Sequence, residues 1–127
     1  MNDEEFVARF AAGTLEPFHH ADHVRAAFLY LRRFPAPEAI GRFSADLARF
    51  AASKGKPELY HETITWAYLI LIRERMARSV ATPTWDEFAA ANGDLLDWRA
   101  SILKRYYRAE TLESRLAKSV FVFPDHF

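Results

Sequence analysis

The chain contains no cysteine, which excludes disulfides, iron–sulfur clusters, thiolate zinc sites and thiol nucleophiles. Glycine is scarce: four residues, all isolated, so no glycine-rich phosphate loop can form. Excess charge is absent too, with 17 basic and 17 acidic side chains. No global field would recruit nucleic acid or an anionic membrane. The longest uncharged apolar run, 64–72, is too short to span a bilayer and meets Arg73, Glu74 and Arg75 at once. The opening residues, MNDEEF, are acidic and carry no apolar segment, so no signal peptide is expected. No serine sits in a nucleophile-elbow motif. These absences predict a soluble cytoplasmic protein with neither a nucleic-acid nor a membrane partner.

What is present is apolar surface. Half of the 127 residues are hydrophobic, enough for one well-filled core and too few residues for two. A single domain over 1–127 is expected. Every periodic stretch is helical, so the fold class is all-α: a bundle of four main helices with short accessory helices and an extended C-terminal tail.

The order of elements follows from caps and breakers. Asn2 or Asp3 caps a first helix that Gly13 ends. A second runs from about His20 to Phe34. Pro35 and Pro37 interrupt the chain, and a third helix follows Pro37 to near Ser53, with Ile40, Phe43, Leu47 and Phe50 as its core stripe. The fourth, 59–76, carries apolar side chains all round and is expected to be central and buried. Thr84 and Glu87 form a capping box for a short helix at 85–91. Asn92-Gly93 ends it. Helices at 95–107 and 110–118 are expected next, the former burying Trp98. Residues 120–127 read as an extended tail over the bundle.

Histidine placement is the sharpest chemical signal. On the second helix, His20 and His23 are three residues apart and share the apolar face with Val24, Ala27, Tyr30 and Leu31. His61 opens the fourth helix on a stripe with Ile64, Tyr68 and Ile72. In an up-down-up-down bundle these two helices begin at the same end, so the three imidazoles converge. Three imidazoles with an open position suit zinc or another divalent metal. The same groups, with Tyr30, Tyr60, Thr65 and Tyr68, also suit a polar pocket for a small-molecule ligand. The third reading is structural: the histidines cap helices or bond to backbone or tyrosine. By helical winding Asp22 and Glu62 point away from the histidine stripes. Thr65 is expected to bond back to the preceding turn. The basic strips Arg25, Arg32, Arg33 and Lys104, Arg105, Arg108 read as solvated faces. The apolar tail also allows a homodimer.

The words FHHADHVRAAFLYL and YHETITWAY resemble a family of small bacterial helical proteins with an F-x-H-x-D-H-hydrophobic-R…YL pattern, then Y-H-x-T-hydrophobic-T. The matching residues are Phe18, His20, Asp22, His23, Arg25, Tyr30 and Leu31, then Tyr60, His61, Thr63 and Thr65. Farther on come Tyr106, Tyr107, Thr111, Leu112 and Ser114, and finally Phe123, Pro124 and Asp125. The resemblance covers most of the chain. It implies a helical domain and favours His20, His23 and His61 over His19 and His126, but it names no reaction. Two function classes therefore stand: a metal-dependent or metal-binding bundle, and a non-enzymatic ligand-binding or interaction domain with structural histidines.

Overall fold

A computed structural model describes residues 1–79 and 81–126. Among them all regular structure is helical: α1 (Asp3–Ala12), α2 (His20–Arg33), α3 (Ala36–Ser53), α4 (Glu62–Arg78), α5 (Trp85–Ala91), α6 (Gly93–Leu96), α7 (Ala109–Leu112) and α8 (Arg115–Ser119). Single 3-10 turns add Pro57–Leu59 and Ile102–Arg105. No helix among the described residues is long and apolar enough to cross a membrane.

Local chemistry sets the first boundaries. The Asn2 side chain accepts from Glu5 N at 2.8 Å, so α1 starts where one of its orphan N–H groups finds an oxygen. Gly13 ends it at φ 76°, and a Cβ there would stand 3.0 Å from Ser53 Oγ. Glycine is thus needed both for the left-handed turn and for the close approach of α1 to the end of α3. Pro35 precedes α3 and Pro37 lies in its first turn, where a missing N–H costs nothing. At α5, Thr84 Oγ1 accepts from Glu87 N while the Glu87 carboxylate accepts from Thr84 N, the expected reciprocal cap.

Helix α2 is the hub and packs on α1, α3, α4, α5 and α6. On its α1/α3 side Phe10 is fully buried, with Phe18, Phe43 and Phe50 stacked around it at 5.4–5.6 Å. On its other side Phe28, Phe88, Leu69 and Ile72 fill the space towards α4 and α5. Truncating Phe10 to alanine would cost roughly 3–5 kcal/mol, the usual range for a buried aromatic.

Expectations for three stretches need correction. The fourth helix does not start at Leu59. Residues 57–59 form a separate 3-10 turn, Tyr60 and His61 are extended, and α4 begins at Glu62. It is not buried all round either, because Ile70 faces solvent. The helix expected at 95–107 is interrupted after one turn. Asp97 turns its carboxylate to Ala100 N, and Ser101 accepts from Leu103 N. Such local side-chain bonds compete with helix continuation. Trp98, expected in the core, is therefore carried to the surface and Tyr107 is buried instead. The stretch 110–118 is likewise split at Glu113 and Ser114, where Ser114 caps α8 through Ala117 N.

The tail does lie extended on the bundle. Buried Thr63 donates its hydroxyl to Val120 O at 2.9 Å and accepts from Val122 N at 3.2 Å. Tyr107 donates to Val122 O, and Phe121 stacks on Trp66. The Asp125 carboxylate accepts from Arg108 N and from the Thr111 hydroxyl. Phe127 lies outside the described residues.

Candidate functional site

At the end of the bundle where α2 and α4 begin, their side chains and those of α3 border a cavity of about 780 Å³ that opens to solvent. Leu15, Val24, Phe43, Leu47, Phe50 and Ile72 give it apolar walls. His20, His23, Tyr60, His61, Thr65 and Tyr68 are among the residues that line it. Lys54, Lys56, Glu58 and Lys118 also contribute to the lining, and Lys54 pairs with Glu16 at 2.8 Å.

Tyr30 does not join this lining. It lies on the apolar stripe of α2, but its ring packs edge-on against Phe10 and Phe43 towards α1 and α3. Its hydroxyl donates to the Asp46 carboxylate. Burial and that carboxylate push its phenol far above the ordinary range. Winding alone places a residue on a broad stripe, and here the stripe of α2 serves two neighbours.

The histidines have three distinct environments. His61 is the N-cap of α4: its Nδ1 accepts from Ile64 N at 3.1 Å, and its Nε2 donates to Leu112 O at 2.6 Å. Because one partner is an N–H and the other a carbonyl, the ring is the neutral Nε2–H tautomer with both nitrogens engaged. His20 donates Nε2–H to Leu95 O at 2.9 Å, and its ring rests against Tyr68 and Trp98, each at 4.9 Å. Its Nδ1 has no partner among the described residues. Burial lowers the His20 pKa, opposed by the Leu95 bond and the Asp97 charge. His23 stacks on Phe18 at 4.3 Å, and neither ring nitrogen has a hydrogen-bond partner among the described residues. Burial first, then the nearby His20, pushes His23 down to about 4, so it is uncharged at neutral pH.

This arrangement does not assemble the expected three-histidine metal set. His61 has no lone pair left to give a cation. Among the described residues no three His, Asp or Glu side chains are grouped closely enough to hold one.

The remaining polar groups are mostly committed. Thr65 donates its hydroxyl to His61 O at 2.7 Å, the back-bonded state expected for it. Tyr68 and Ser101 share a hydrogen bond at 2.7 Å. Tyr60 donates to the Glu62 carboxylate, and burial together with that contact pushes its phenol up to about 12. Glu62 thus touches the cavity wall through Tyr60, although it is not itself part of the lining. Asp22 turns away and accepts from His19 N at 2.8 Å. Uncommitted hydrogen-bonding capacity therefore remains on His23 and on His20 Nδ1, two neutral imidazoles against the apolar walls, and on the charged Lys56, Glu58 and Lys118 that also border the space.

Sequence reasoning missed Trp98, because 95–107 reads as one amphipathic helix. It also missed Lys118, whose approach to the cavity depends on α8 packing against α4. The short basic turn at 54–56 was visible in sequence, and its lysines do reach the cavity.

Compared with protein-family models, curated proteins and solved structures, the chain matches none.

Proposed function

We propose that the protein binds a small, largely apolar molecule in the cavity between α2, α3 and α4, with His23 and His20 as its polar contacts. The observation that carries this reading is an apolar hollow of about 780 Å³ in which hydrogen-bonding capacity is left over on two uncharged imidazoles. Ligand sites are typically apolar spaces of roughly 300–1,000 Å³ with a few convergent polar groups. A neutral imidazole offers one donor and one acceptor, so a hydroxyl or carbonyl on the ligand would satisfy it. A cysteine-free, charge-balanced chain suits such a binding protein in the cytoplasm.

The metal-dependent reading has less support. It keeps His20 and His23 as free donors for a divalent metal such as zinc, but it needs His61 Nδ1 to give up the Ile64 N–H that it accepts as the cap of α4. A homodimer built on the tail draws on the exposed Val120 and Phe123, and is weakened by the tail's attachment to Thr63 and Tyr107 of its own chain.

The test is a titration with Nile red, an uncharged dye whose emission shifts in apolar surroundings. Saturable one-to-one binding is expected, abolished in Leu47→Trp, which fills the hollow from α3. Absence of saturable binding to the wild-type chain, or undiminished binding to Leu47→Trp, would sink the reading.

A further inference from the structure

Beside the main cavity lies a smaller one of about 380 Å³, and Ile64 and Trp98 line both. The two spaces abut. Tyr68 lines the larger and Ser101 the smaller, and their hydroxyl oxygens are 2.7 Å apart. Their linings differ in character. The smaller space is lined by Arg99, Ser101 and Lys104 together with the apolar Ile64, Leu103 and Leu112. No carboxylate lines it. The acid closest in sequence, Asp97, has its carboxylate on Ala100 N at 3.1 Å. Lys104 donates to Arg99 O at 2.9 Å, which holds the ammonium next to the chain segment that carries the guanidinium. The Arg99 guanidinium has no ion-pair partner among the described residues.

We propose that this annex is the subsite for an anionic head, so that the natural ligand is an amphiphile. Its apolar body fills the histidine-lined cavity and its carboxylate or phosphate reaches past Trp98 to Arg99 and Lys104. The inference rests on the cavity being a ligand site. It adds a charge preference located at Arg99 and Lys104, apart from the charged side chains that border the main cavity. An arginine and a lysine that line one space with no acid in the lining supply the cations that recognise such groups. Both cations are exposed, so the attraction is screened by salt and adds a modest preference to binding that is mainly apolar. A carboxylate head and a phosphate head share this chemistry, and chain-matched ligands distinguish them.

The experiment displaces Nile red with dodecan-1-ol below its solubility limit and with dodecanoate and dodecyl phosphate below their micellar concentrations, all at low ionic strength. The wild-type chain is expected to bind at least one of the two anions about tenfold more tightly than the alcohol. The preference should shrink as salt is raised. In Arg99→Gln/Lys104→Gln it should vanish while dodecan-1-ol affinity is unchanged. The anion with the larger preference identifies the head. Equal affinity for alcohol and anions, or a preference that survives in the double variant, overturns the headgroup site and leaves the cavity reading intact. No displacement by any chain, in a protein that does not take up the dye, overturns both.

Discussion

His61 Nε2 holds the Leu112 carbonyl at 2.6 Å while Nδ1 of the same ring accepts the Ile64 N–H. One side chain therefore starts α4 and fastens α7 to it. His61→Ala removes both bonds and leaves two partly buried backbone groups without partners. A loss of about 2 kcal/mol is expected, measured as a shift in the urea midpoint. His61→Asn retains a side-chain acceptor for the cap but cannot reach Leu112, so about 1 kcal/mol of the loss should return. Equal destabilisation by the two variants would show that the cap contributes nothing.

The same geometry bears on metal. With both His61 nitrogens engaged, chelation by EDTA should leave the thermal midpoint of the purified protein unchanged, and elemental analysis should find no stoichiometric zinc. A chelator-induced drop in midpoint that His20→Ala or His61→Ala abolishes would restore the metal reading.

Acid should destabilise the fold through His23. Its pKa is pushed from the ordinary 6.5 to about 4, so within that window the unfolded chain binds a proton that the folded chain refuses. Stability therefore rises with pH across the window. It should fall by about 2 kcal/mol as pH drops from 6.5 towards 4, allowing for partial solvent access. Carboxylates contribute in the lower part of the window, so the control is His23→Leu. Urea denaturation across pH should give this variant a shallower slope between pH 6.5 and 5, about where carboxylates are still charged. An unchanged slope would refute the assignment.

Thr63 is the fastening for the tail. Thr63→Val keeps the shape but strands the Val120 carbonyl and the Val122 amide, at a cost of about 2 kcal/mol. Hydrogen exchange at the Val122 amide should accelerate by more than tenfold, while Thr63→Ser should remain close to wild type. Unaltered exchange in Thr63→Val would mean that the tail is held by Phe121 and Tyr107 alone.

The fold was legible where a residue's own neighbours in sequence decide the outcome. Asn2, Gly13, Thr84 and Glu87 act within four residues of themselves, and their boundaries were readable. At 95–107 the apolar spacing favours one helix, but Asp97 and Ser101 take up backbone N–H groups nearby and end it early. Composition gives no way to weigh those bonds against another helical turn. In the site, the positions of His20 and His61 at the starts of α2 and α4 were readable from the caps and breakers around them. The direction of their lone pairs was not, because Leu95 O and Leu112 O come from segments far away in sequence. The same limit explains Tyr30, whose stripe on α2 is shared between two packing partners.

Three fastenings of the C-terminal third share one property. His20 binds Leu95, His61 binds Leu112 and Thr63 binds Val120, each through the main-chain carbonyl. The recognised partner is a peptide group, which every residue supplies. Substitution at 95, 112 or 120 can change packing without deleting the bond, so that strand of the interface is free to diversify. The donors on α2 and α4 have no such latitude, since loss of an imidazole or a hydroxyl there has no counterpart change that restores it. Tolerance to mutation across these contacts should therefore be lopsided, concentrated on the carbonyl side.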